Sequence, residues 1–422
     1  VSSKIKKGDK KIINAWVFYD WANSVYPLVI TSTLFPIYYE KVTPLEVEIL
    51  GRTFVNTELY SYVGALSFLL VAIFSPLLSG IADYSGSKKR FLQFFCYLGS
   101  IACMGLYWFN AEYLTFSLFI FLLASIGYWS SLVFYNAYLP EIAEPDEQNN
   151  VSARGFAMGY LGSSILLILI LVAIMKFEMP AKFGFLLTGF WWITFSQYTY
   201  IIIPSNLFNK KPTGKRYILS GYREINKVWN ELKTQSVLKR FLIAFFFFSM
   251  GVQTVLFMAA LFATQEIKNL PEGGLIIVIL IIQFVAIIGA YLFSWLGKKT
   301  NNILSLNAAI LIWIVCCVSA YKIENALPFY FLAAGVGLVM GGIQSLSRST
   351  YSQLLPETQD HASYFSFYDA TEKIAYVVGT FSFGYINGIT GSMRDSILAL
   401  ISFFITGFIL LAFIKRKSEK LQ

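Results

Sequence analysis

Asp20 sits inside an otherwise apolar stretch, Asn14 to Tyr39, that is long enough to cross a bilayer. An ionised Asp at the centre of a lone membrane helix costs about 2.5–3.5 kcal/mol on insertion scales, so its carboxylate must face protein or water. Asp20, Asn23 or Ser24, Pro27 and Thr31 recur at helical spacing and share one face, which reads as a cavity wall. Asp20 lies about 9 Å along its helix at 1.5 Å per residue, nearer one end than the middle. It could carry a proton or cation, anchor a substrate amine, or serve as an internal structural pair or cap. A second charged group lies in 364–388, where Asp369, Glu372 and Lys373 interrupt apolar sequence. Asp369 and Lys373 are at i and i+4 with the acid first, the better order for a helical ion pair, and Tyr376 and Thr380 continue that face. Lys373 could bind a substrate carboxylate, exchange partners during a cycle, or form a static pair.

Other apolar stretches carry polar sets. These are Tyr128, Ser131, Tyr135 and Asn136; Gln253 and Thr254; and Gln344 and Ser345. Each could contact a solute or make a helix–helix hydrogen bond, worth about 0.6–2 kcal/mol in a bilayer. Arg154 and Arg348, at span edges, are expected to make gate or loop contacts with Glu141, Asp83 or Glu357 rather than to bind substrate. Asp83 is expected to pair with a basic residue or a helix N-terminus, which would stabilise one conformational state without doing chemistry.

The missing motifs narrow the function. The single histidine, His361, falls in an expected loop, which argues against a histidine proton relay. The chain has no GxxxxGK[ST] phosphate loop, no Cys/His metal spacing and no nucleophile–histidine pair in an apolar span. An ATP-driven pump and an enzyme are therefore not expected, nor is a metal or other cofactor. Cys96, Cys103, Cys316 and Cys317 all lie in apolar runs and read as buried small side chains.

The elements that must position these residues are membrane helices. Of 422 residues, 56% are hydrophobic and only 14% charged, against about 25% charged in soluble domains. Twelve spans are predicted, at 14–39, 57–82, 90–110, 113–139, 153–176, 183–204, 238–265, 273–296, 302–321, 327–347, 364–388 and 394–414. With the N-terminus in the cytoplasm, the tails and loops on that side hold 25 lysines and arginines and the opposite loops hold 7. That asymmetry places both termini in the cytoplasm. The net charge of +9 is thereby explained without nucleic acid. No cleavable signal peptide is evident, because the first apolar run is too long for one.

A long segment divides the chain into 1–204, a linker 205–237 and 238–422. Within the linker, Ile218, Tyr222, Ile225, Val228 and Leu232 follow helical spacing, so an amphipathic helix on the inner leaflet is expected. The halves read as repeats. Leu139-Pro140-Glu141 ends the fourth span and Leu355-Pro356-Glu357 ends the tenth. Asp20 with Asn23-Ser24 is matched by Met250 with Gln253-Thr254. Two six-helix repeats around a central loop are the pattern of a major facilitator transporter, an all-α membrane fold with its site between the halves.

Specific stretches carry a resemblance. Asp83-Tyr84-Ser85-Gly86 followed by Lys88-Lys89-Arg90 resembles the loop signature of the major facilitator superfamily, with Ser79 where its glycine usually stands. The vacuole-effluxer-like family, related to the yeast autophagy protein that exports vacuolar amino acids, is resembled over nearly the whole chain. The residues are Tyr19-Asp20-Trp21-Ala22-Asn23-Ser24, Phe134-Tyr135-Asn136-Ala137, Leu139-Pro140-Glu141-Ile142-Ala143 and Gly159-Tyr160-Leu161-Gly162. They continue with Gly251-Val252-Gln253-Thr254 and Gly341-Gly342-Ile343-Gln344 running into Ser347-Arg348-Ser349. The family often has an acid where Met250 stands. The resemblance implies secondary transport, with amino-acid export as its suggested activity. A small polar solute, membrane lipids, and a proton or sodium ion are the expected partners, in a cell (inner) membrane. A lipid or lysolipid transporter of the same fold, or a receptor or scaffold that does not transport, are the alternatives.

Overall fold

The computed structural model describes residues 7–49, 51–205, 210, 217–271 and 273–418, and these are nearly all helical. The chain begins with α1 (Lys10–Asn23), whose N-terminus is capped by the Asp9 carboxylate accepting from the amides of Lys11 and Ile12. The next segment, Tyr26–Leu34, is wound as a π-helix and runs into α2 (Phe35–Val42). Pro27 supplies the reason for the change of register. It has no amide to give the carbonyl four residues back, and π-type i→i+5 bonding passes that carbonyl to the next amide. The Thr33 hydroxyl, donating to the Leu28 carbonyl at 2.7 Å, follows the same five-residue step. A two-stranded hairpin, β1 (Glu46–Ile49) and β2 (Arg52–Val55), turns at Gly51 with φ of 75°.

Helices then follow in order: α3 (Asn56–Ser85), α4 (Lys88–Gly105), α5 (Leu114–Asn136), the single turn α6 (Leu139–Ile142), α7 (Gln148–Phe177) and α8 (Lys182–Ile202). The amphipathic α9 (Tyr217–Thr234) lies in the predicted linker, the rest of which falls largely outside the described residues. After it come α10 (Ser236–Glu266), α11 (Gly274–Lys299), α12 (Asn302–Lys322), α13 (Ala326–Leu354), α14 (His361–Thr390) and α15 (Met393–Ser418).

Nine helices among the described residues are long and apolar enough to cross a membrane. The other three expected spans are helical but more polar. The first contains Asp20 and changes register at Pro27. The sixth, α8, carries Thr188, Ser196 and Thr199. The eleventh, α14, carries Asp369, Glu372 and Lys373. Three α8 hydroxyls are satisfied within protein: Thr188 donates to Gly184 O, Ser196 to Trp192 O, and Thr199 to Ala15 O, each at 2.7 Å. Such partners are what a membrane helix needs where no water is available.

Two compact units emerge. The first runs to Ile142 and adds Leu161–Ile225 and Gln359–Ser366; the second takes Ala143–Tyr160, Asn226–Thr358 and the chain from Phe367 on. Each sequence half thus lends a short segment to the other unit, and α9 is shared between them. In the first unit Gly99 of α4 and Gly127 of α5 let two backbones touch, and Trp192 of α8 lies against Gly99. Gly221 of α9 similarly rests on Gly80 and Ile81 of α3, fixing the linker helix to the end of a span. In the second unit Arg394 ties three helix ends together. It donates to Glu266 at 2.8 Å and to the Tyr321 carbonyl at 2.7 Å.

A side chain larger than hydrogen at Gly127 would overlap the Gly99 backbone. Overpacking of this kind costs about 1–3 kcal/mol. Gly127→Val is expected to lower the thermal unfolding midpoint of the detergent-solubilised protein, monitored by tryptophan fluorescence. An unchanged midpoint would mean that α4 and α5 do not pack as described.

Candidate functional site

Asp20 lies on the last turn of α1 and is 4% exposed. Its Oδ2 accepts from the Tyr135 hydroxyl at 2.8 Å. Tyr135 is fixed in turn by Trp16, which stacks on it with ring centroids 4.5 Å apart and donates its indole N–H to the Tyr135 carbonyl at 2.9 Å. Trp16 and Asp20 are one helical turn apart, so a single face of α1 both clamps the tyrosine and presents the acid. Asn23, a further turn on, is fully buried. Its Oδ1 accepts from the Ser24 hydroxyl at 3.3 Å, while its Nδ2 has no partner among the described residues. Asn136 closes α5 beside Tyr135. The expected grouping of Asp20, Asn23 and Tyr135 is therefore one place in the first unit.

The second grouping is in the second unit. Lys373 is 3.2 Å from Asp369 and 3.0 Å from Glu372, so the i,i+4 pair is joined by a third residue. Gln253 of α10 donates to Glu372 at 2.9 Å. Gln344 is placed elsewhere: its Oε1 accepts from the Tyr160 hydroxyl at 2.6 Å. One turn beyond, Arg348 donates to the Ser152 carbonyl and hydroxyl, each at 2.9 Å, and lies over the Phe156 ring at 4.1 Å. Gln344 and Arg348 of α13 thus hold the first turns of α7.

Asp83 caps a helix. Its two oxygens accept from the amides of Ala362 and Ser363 at 3.3 and 2.7 Å, at the start of α14. A carboxylate there faces the positive end of the helix dipole. Burial acts to raise the cost of that charge, and the two amides offset it. Glu141 in α6 is bonded by both the Lys88 ammonium and the His361 ring, and Lys210 pairs with Asp360 at 2.9 Å.

One expectation is corrected here. His361 does not lie in a loop: it is the first residue of α14, 7% exposed, with Nδ1 2.9 Å from Glu141. Asp83 is bonded by two backbone amides, and Glu141 by Lys88 and His361. Glu357 is exposed and forms no ion pair among the described residues, unlike its repeat counterpart Glu141.

Residue types alone did not single out Lys88, Lys210, Asp360 or the amide group Asn149–Asn302–Gln353. In the latter, Asn149 and Asn302 exchange hydrogen bonds at 2.6 and 3.1 Å and Gln353 bonds both. A signal existed for Lys88, which follows the loop signature, but nothing local distinguishes Asn302 from any helix start. No group of three or more metal-ligating side chains occurs among the described residues.

Comparison with known proteins accords with this architecture. The family described as "Vacuole effluxer Atg22 like" matches residues 8–422. The MFS-type transporter YxiO of Bacillus subtilis (strain 168) is 29% identical over 96% of this chain and 95% of its own. Autophagy-related protein 22 of Kluyveromyces lactis is 25% identical over 94% and 92%. Among solved structures, the human organic anion transporter MFSD10 superposes with a TM-score of 0.72 at 11% identity, covering 96% of this chain and all of that one. The E. coli fucose:proton symporter FucP superposes with 0.69 at 13% identity, covering 96% and 97%. The fold is thus that of a multi-pass major facilitator transporter.

Breaking a buried ion pair by removing one partner costs about 3–5 kcal/mol. Glu141→Ala is therefore expected to destabilise the first unit strongly. The double variant Lys88→Ala/Glu141→Ala should lose less than the sum of the singles, by about 0.5–3 kcal/mol of coupling. Unfolding in mixed micelles measures both, and strictly additive losses would remove the pairing.

Proposed function

Because the chain belongs to the Atg22-like vacuole effluxer family, we propose that it moves a small polar solute, an α-amino acid, across the membrane by alternating access coupled to an ion gradient. The observation that carries this reading is the buried Asp20 carboxylate, oriented by Tyr135, one turn from Asn23, whose Nδ2 has no partner among the described residues. A carboxylate of this kind in a transporter span is suited to a primary ammonium group, and Asn23 to a neighbouring acceptor oxygen. The Asp83 cap and the Glu141 cluster are assigned to conformational control, because they hold the start of α14. The lysine excess on one set of loops supports cytoplasmic termini and a cell membrane as the location.

A lipid or lysolipid cargo has weaker support. It would need an apolar track, and the wholly apolar cavity of the second unit, lined by Phe262, Trp313, Cys316 and Phe329 among others, holds about 60 Å³. Pockets for drug-sized ligands run to about 300–1,000 Å³.

The test is uptake of radiolabelled α-amino acids into proteoliposomes, with peptides, sugars and lysolipids as comparators. Asp20→Asn is expected to reduce amino-acid uptake at least tenfold and Tyr135→Phe severalfold, with both variants inserted normally. Full uptake by Asp20→Asn would remove Asp20 from the solute path. Uptake of a lysolipid alone would replace the cargo.

A further inference from the structure

Three charged side chains of α14 meet at one buried place in the second unit. Lys373 and Asp369 are 2% and 3% exposed, while the Glu372 side chain retains 21%. The Lys373 ammonium is shared between Asp369 Oδ1 and Glu372 Oε2. The remaining oxygen of Glu372 accepts from Gln253, a neutral donor. The remaining oxygen of Asp369, Oδ2, is buried with no partner among the described residues. Arg348, on the neighbouring α13, directs its guanidinium to Ser152 and Phe156. The other titratable groups at this level are the phenols of Tyr368, stacked on Phe245 of α10, Tyr351 of α13, and Tyr376, against Phe257 of α10. None of these supplies a cation to either acid.

Two carboxylates therefore bond to one ammonium. A solute carboxylate arriving at Lys373 would set a third anion around that single cation, which argues against the reading of Lys373 as a carboxylate anchor. The cluster lacks one positive charge, and an unmatched charge buried in a membrane protein is costly.

We infer that Asp369 and Glu372 hold one exchangeable proton between them, with Lys373 as their fixed counter-charge, and that this cluster is the ion-coupling site. The inference rests on the transport reading for its role, though not for its chemistry. The step is simple: a proton adds to one carboxylate oxygen, a carboxylic acid forms, the cluster goes from one net negative charge to none, and no other bond changes. Glu372, the partly exposed member, is the entry point, and Asp369 Oδ2 is the buried oxygen with no competing donor.

The experiment is infrared difference spectroscopy between acid and alkaline pH on the full-length protein in lipid nanodiscs. The wild-type spectrum is expected to show the carbonyl stretch of a protonated, weakly hydrogen-bonded carboxyl group. That band should fall by half or more in Glu372→Gln and disappear in Asp369→Asn/Glu372→Gln. Identical spectra in the wild type and the double variant overturn the inference. In proteoliposomes loaded for uptake of a radiolabelled α-amino-acid mixture, an inward acid gradient should raise wild-type uptake at least fivefold and should not raise it in Glu372→Gln. Stimulation that persists in Glu372→Gln, or follows a sodium gradient instead, also overturns it. If no amino acid enters at all, the solute assignment fails, and the infrared comparison still decides whether the cluster carries a proton.

Discussion

A hydrocarbon layer offers no water to a charge or to an open backbone group, and the protein meets that deficit residue by residue. Asp20 is held by a tyrosine hydroxyl, Asp83 by two amides, Glu141 by a lysine and a histidine, and Asp369 with Glu372 by one lysine. Even the backbone follows the rule. At Pro27 the first span leaves α-helical register for a π-helix, which finds a donor for a carbonyl that proline cannot serve. Asp20 and the Asp369–Glu372–Lys373 cluster lie in two of the spans too polar to pass as simple ones, whereas Asp83 and Glu141 lie near the ends of helices apolar enough to cross a membrane.

At the lysine-rich ends of the spans, each half of the sequence gives a segment to the unit built by the other. In the first unit the start of α14 is held by ionic and dipolar contacts: Asp83 on two amides, Glu141 on His361, and Lys210 on Asp360. In the second unit the start of α7 is held by neutral carboxamides, Asn149, Asn302 and Gln353, and by Arg348 on Ser152. The repeats have diverged in chemistry while keeping the job of holding a helix start. Ionic contacts respond to salt and to charge changes, whereas amide contacts do not.

The transport residues divide along similar lines. Asp20 in the first unit is oriented by aromatic packing, with Trp16 clamping Tyr135 and Tyr135 holding the acid. The cluster in the second unit is electrostatic, with three charges and a carboxamide. Gln253, a turn along the same helix from Met250, bonds to an acid of α14. A negative charge at this level of the second unit therefore comes from α14.

Composition, span length and lysine asymmetry were enough to identify a polytopic helical membrane protein, because hydrophobic length and loop charge are local properties of the chain. The i,i+4 relation of Asp369 and Lys373 and the shared face of Asp20 and Asn23 were legible for the same reason: helical periodicity alone sets them. Partner choice was not legible. Glu141 and Glu357 occupy equivalent three-residue motifs, yet one is buried against Lys88 and His361 and the other is exposed. His361 read as a loop residue because nothing nearby in sequence shows that α14 starts with it, against an acid 220 positions earlier. Those outcomes depend on which helix ends meet in space. That is decided by close backbone contacts such as Gly99 on Gly127 and Gly80 on Gly221, between residues far apart in the chain, and only the tertiary structure brings them together.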